Sequence, residues 1–237
     1  MEITPDLKSA VEALYVTFAG YPLRDNTEPC PCCHSSYDDQ RLHAKPLRKL
    51  DRADLQKYTA DALLVWGGVT DFKHFLPRIF ELEIVHGSEF DDPQVALGKL
   101  RYSEWWTWPE PEQQAIKSFL HQAWSCVLNT APSDVSGMEI EDWLCGIAQA
   151  EPALSGYLQE WLVMGSRNTD LNLASFIAET EFAKSGQSPP DYWTNCPEAF
   201  AETSAWVRSD EVKARMSKIA ADYTEYDFVE RAYSSLP

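Results

Sequence analysis

Apolar residues recur at helical spacing along almost the whole chain, and no run alternates polar with apolar residues between turn signals. Leu7, Val11, Leu14, Tyr15 and Phe18 share one face of a first helix, which Gly20 and Pro22 end. A second stripe, Leu55, Tyr58, Ala62, Leu63 and Trp66, places a helix from Asp51 to the Gly67-Gly68 stop. Thr70 is the expected cap of a third helix over residues 71–82, with Pro77 inside it as a kink. Asp91 and Asp92 open a short helix to about Tyr102, and Pro109, Glu110 and Glu112 open a long one to about Leu128. Further helices are expected over about 139–150, 152–164, 169–185, 189–208 and 210–235.

The fold class is therefore all-α, with about ten helices in antiparallel hairpins, packed as an irregular bundle or an α-solenoid-like stack. No clean repeat period supports a known solenoid family. One continuous domain over residues 1–237 is expected, with a Pro- and Cys-rich loop at 21–46.

Composition limits the function. The apolar share of 44% is that of a folded globular chain. No apolar run approaches the roughly 20 residues that span a bilayer, and the acidic N-terminus does not read as an export signal. A cytoplasmic location with reduced cysteines is the expectation. The net charge is −17. The first sixty residues are close to neutral, with 8 basic and 9 acidic groups, and the excess acid is spread over the remainder. That argues against direct nucleic-acid binding, which needs clustered cations, and favours a basic protein partner.

One segment concentrates chemistry. Cys30-Pro31-Cys32-Cys33-His34, with His43 nearby, is the only local gathering of thiols and imidazoles. Cys30 and Cys33 have the spacing that lets two thiolates reach one zinc ion, and Cys32, His34 or His43 can add a donor. His74 or His86 from a neighbouring helix is the further candidate to complete the site. A metal would offset the entropy of ordering a proline-rich loop. Unliganded thiols in a docked loop, or thiol redox chemistry, are the alternatives. Cys126, Cys145 and Cys196 stand in helical patterns and read as buried free thiols.

Two further sets are candidates for binding. Asp71, His74 and Arg78 lie at i, i+3 and i+7 and share a helix face, where they can do acid–base chemistry, bind an anion or simply brace the packing. Trp105, Trp106 and Trp108 cluster before a helix among nine tryptophans. They are core or interface anchors, and adjacent Trp105 and Trp106 cannot point the same way. The basic stretch Arg41, Lys45, Arg48, Lys49, Arg52 and Lys57 reads as an anion reader or as internal partner to the acid.

Several stretches resemble a family of bacterial proteins with no assigned activity. They are the Cys-rich loop, Leu64-Val65-Trp66-Gly67 followed by Asp71 through Arg78, Trp105 through Pro109, and Trp193. The resemblance implies that 30–34 and 66–78 are not arbitrary surface. P-loop, dinucleotide-binding, metalloprotease and serine-hydrolase signatures are absent. The expectation leans away from an enzyme and towards an acidic binding module, in its most specific form an immunity-type inhibitor of a basic toxin domain. The alternative is a metal-dependent enzyme or zinc-stabilised sensor centred on the Cys30–His43 loop.

Overall fold

The computed structural model describes residues 3–86, 90, 92–151, 153–184 and 186–236. Among them the chain is 69% helical, with twelve α-helices and no sheet, so it is all-α. It folds as two compact units, one of Ile3–Gln122 and one from Ala123 onward.

The first unit opens with α1 (Pro5–Thr17). Thr4 caps it by accepting from the Leu7 N–H at 3.2 Å, and Pro5 and Asp6 suit the first turn. Its apolar face, Leu7, Val11, Leu14 and Tyr15, is buried and packs on α4 (Val69–His86). Each such Leu or Val contributes about 1.5–3 kcal/mol when taken out of water. Between them lie α2 (Ser36–His43), a 3₁₀ turn at Leu47–Lys49 and α3 (Arg52–Asp61). Then come α5 (Pro93–Tyr102), a 3₁₀ turn at Trp105–Thr107, and α6 (Glu110–Asn129), whose last residues belong to the second unit.

The second unit holds α7 (Gly137–Ala150), α8 (Ser155–Val163), α9 (Arg167–Glu179), α10 (Pro197–Val207), α11 (Asp210–Asp222) and α12 (Asp227–Ser235). Helix α9 is its hub and packs on α7, α11 and α12. Trp161 meets Trp124, Phe176 and Trp206 with ring centroids 5.3–5.6 Å apart. Its indole N–H is satisfied by the Thr169 carbonyl at 3.2 Å.

Several boundaries differ from the sequence expectation, each for a local reason. The loop at 21–46 contains α2, started by a capping box in which Ser35 and Asp38 satisfy each other's backbone N–H. Helix α3 ends at Asp61, not at Trp66, because Leu63 turns left-handed (φ 67°) and its N–H donates to the Trp66 carbonyl at 3.2 Å. Thr70 is inside α4, not its cap. The Asp71 carboxylate accepts from the Gly68 N–H at 2.8 Å instead. Helix α9 stops at Glu179. The expected 189–208 helix breaks at Cys196 (ψ 59°) before Pro197, and the 210–235 helix breaks at Tyr223 (ψ 54°). Asp91 and Pro152, expected near helix starts, lie outside the described residues.

Candidate metal centre

The cysteine loop is fastened to the α3–α4 connection. Trp66 donates its indole N–H to Thr27 Oγ1 at 2.6 Å, and the Thr27 hydroxyl donates in turn to Asp39 on α2. The Cys30 N–H donates to the Val65 carbonyl at 2.8 Å, beside a single antiparallel bridge between Pro29 and Trp66. Cys33 and His34 then both donate their N–H to the Cys30 carbonyl at 3.0 Å. One tight turn, anchored at its first residue, therefore carries all three thiols.

The three Sγ atoms lie within 4.8 Å of one another, with 2.8 Å from Cys30 to Cys32 and 3.5 Å from Cys32 to Cys33. Cys30 is half-buried, Cys32 and Cys33 are exposed, and none is in a disulfide. Tetrahedral zinc with bonds of about 2.3 Å needs sulfurs about 3.8 Å apart. Both of these separations are shorter than that value and all three sulfurs lie within 4.8 Å, so the donor set fits a soft ion once the side chains spread apart. The three cysteines could hold a metal ion.

The thiols also perturb one another. A hydrogen bond from Cys32 lowers the Cys30 pKa. Hydrogen bonds to Cys30 and Cys33 push Cys32 up to about 11. Cys30 thus gives up its proton more readily than Cys32, and a bound cation would favour the deprotonated form of both.

The two expected imidazole ligands lie outside the sulfur group. His34 faces inward with its side chain fully buried, its ring 4.3 Å from that of Trp66 and Nε2 3.3 Å from Asp61. His43 is on α2 with Nε2 3.5 Å from Asp39. A ring packed against a buried indole gains more than one turned to solvent beside its own turn, and His43 belongs to a separate helix. His74 is engaged elsewhere: its Nδ1 is 2.7 Å from the Tyr21 carbonyl oxygen.

The Asp71, His74 and Arg78 face does not converge on one spot. Asp71 takes a bidentate pair from Arg24 at 2.8 and 2.6 Å. Arg78 donates to the Leu50 carbonyl at 2.7 Å and to Glu81 at 2.6 Å. These contacts, with that of His74 to Tyr21, tie the stretch after α1 and the residue Leu50 to α4. Trp105 and Trp108 are buried, and Trp106 is 54% exposed. Gly67 (φ 68°) lies so close to Asp71 that a Cβ would meet its Oδ2 at 3.0 Å. An open cleft of 440 Å³ follows, bordered by Arg24, Glu28, Val65 and Asp71.

Sequence reasoning missed the buried Lys73–Glu112 pair (2.6 Å), which Tyr21 also contacts and over which the Trp108 ring lies 4.1 Å from Lys73 Nζ. A lysine inside the apolar Phe72–Leu76 stretch was its only trace. In the basic stretch, Arg41 and Lys45 pair with Asp54, Arg48 with Glu12, and Lys57 with Asp38. In the second unit, Cys126, Cys145 and Cys196 are buried and in no disulfide, as expected, and Cys145 and Cys196 share a hydrogen bond.

No helix among the described residues is long and apolar enough to cross a membrane. No protein-family model, curated protein or solved structure matches the chain.

Proposed function

We propose that the Cys30–Cys33 turn is a thiolate metal centre, with zinc as its ion, and that the protein works as a metal-stabilised sensor module. The observation that carries this reading is the gathering of three free thiols within 4.8 Å on one anchored turn. Cys30, Cys32 and Cys33 would bind the ion. The Val65 carbonyl and the Thr27–Trp66 contact would hold their backbone still. When bound, zinc supplies positive charge that stabilises three adjacent thiolates. Two exposed sulfurs, with no fourth protein ligand beside them among the described residues, favour an exchangeable ion over a sealed structural one. Metal analysis of the purified full chain tests this. One zinc per chain is expected, lost in Cys32→Ser with helix content unchanged. Metal-free protein that takes up no zinc contradicts it.

A second reading is an acidic cytoplasmic binding module for a basic protein, of the immunity-inhibitor kind. It is supported by the way cations are spent on internal pairs while Leu64, Val65, Val69 and Trp106 remain exposed. Capture from native extract at low and high salt tests it. A stoichiometric basic partner that salt weakens is expected, and none at either salt contradicts it.

A further inference from the structure

We propose that the same turn is a peroxide-sensitive dithiol, in which a Cys30–Cys32 disulfide forms at the expense of the bound ion; the metal half of this statement rests on the thiolate-centre reading above. Three observations carry it. Cys30 and Cys32 have the shortest sulfur–sulfur separation on the turn, 2.8 Å, against the roughly 2.05 Å of a disulfide. Cys32 also lies 3.5 Å from Cys33, so both of the short sulfur contacts at 2.8 and 3.5 Å include it, while Cys30 and Cys33 lie within 4.8 Å of each other. And these thiols reach solvent, whereas Cys126, Cys145 and Cys196 are buried.

Of the two pairs at 2.8 and 3.5 Å, Cys32–Cys33 joins adjacent residues. Its ring closes across a single peptide bond, which a planar trans peptide resists. Cys30–Cys32 has Pro31 between the partners and spans two peptide bonds. The Cys30 N–H and carbonyl are both held, by Val65 and by Cys33 and His34, so the bridge can close by side-chain movement.

The oxidant is hydrogen peroxide. One thiolate of the pair attacks a peroxide oxygen, the O–O bond breaks, and a sulfenic acid and hydroxide form. The second thiolate attacks the sulfenic sulfur, forming the S–S bond and expelling a second hydroxide. In the metal-free chain the two thiol protons convert both hydroxides to water; in the zinc-loaded chain, whose thiolates have already given up their protons, the protons come from solvent. Peroxide is reduced, and the two sulfurs are oxidised by one electron each. Either sulfur can attack first, and the product is the same. With two of its three thiolates consumed, the ion is released.

The test uses the full chain, metal-free and zinc-loaded, treated with hydrogen peroxide, alkylated and digested with trypsin. Residues 25–41 form one tryptic peptide that carries Cys30, Cys32 and Cys33 and no other cysteine. It is expected two hydrogens lighter, with one alkylatable thiol in place of three, and with zinc release in step. Cys33→Ser keeps the bridge and Cys32→Ser loses it. Three intact thiols, sulfinic or sulfonic acids without a bridge, or a bridge surviving in Cys32→Ser would overturn the proposal. Zinc binding without a bridge sinks this inference alone. A bridge in a chain that never binds zinc supports the dithiol but overturns the release of an ion, and with it the metal-centre reading.

Discussion

Lys73 and Glu112 are 6% and 7% exposed and 2.6 Å apart, and such a pair is costly to break from one side. Glu112→Gln leaves the ammonium under Trp108 without its counter-charge. It is expected to lower stability by about 3 kcal/mol, seen as a lower denaturant midpoint at unchanged slope. Replacing both partners with apolar residues should recover much of that. His74 gives a pH signature. Burial lowers its pKa below the ordinary 6.5, against the opposing effect of the Tyr21 carbonyl. The unfolded chain therefore protonates first as pH falls. Stability is full above about pH 6.5 and declines as pH drops towards the folded value. Asp38, held far below the usual carboxylate range by Lys57, acts only in a more acidic window. Denaturation midpoints between pH 7.5 and 5.5 check this, and His74→Gln should flatten the slope. At this scale the thiols were legible, because chain adjacency alone keeps Cys30, Cys32 and Cys33 close. The direction of the His34 ring was not, since it depends on Trp66, thirty-two positions away.

Most helices could be read from periodicity, and three of the misplaced ends share one cause. At Leu63, Tyr223 and Glu179 the chain leaves helical geometry without a glycine or proline to mark it. Packing decides those ends, and local propensity does not record packing. Helix α2 was overlooked because prolines and cysteines dominate its neighbourhood, although its Ser35–Asp38 box is visible. The approach of α7 to α9 was equally hidden. A Cβ on Gly137 would sit 2.5 Å from the Ser175 carbonyl oxygen, which is backbone and cannot swing aside. Gly137→Ala should therefore cost about 2 kcal/mol by forcing the two helices apart. Thermal unfolding measures it. An unchanged Tm would show that α7 can shift without loss.

Across the molecule, a net charge of −17 coexists with cations that are largely committed to internal pairs, such as Arg215 with Asp170 and Arg24 with Asp71. The fold thus spends positive charge to fasten its segments. The exposed remainder is acidic, which suits a basic partner whose binding weakens with salt. The proposed metal centre fits the same scheme, since a cation on the turn would fasten the loop at 21–46 where few helical residues can. Cobalt(II) titration of the reduced, metal-free chain tests this most directly. The account predicts one equivalent bound, with thiolate-to-cobalt charge-transfer absorption that zinc displaces and Cys32→Ser abolishes. Absence of that absorption, or its persistence in Cys32→Ser, would contradict a centre built on these three sulfurs.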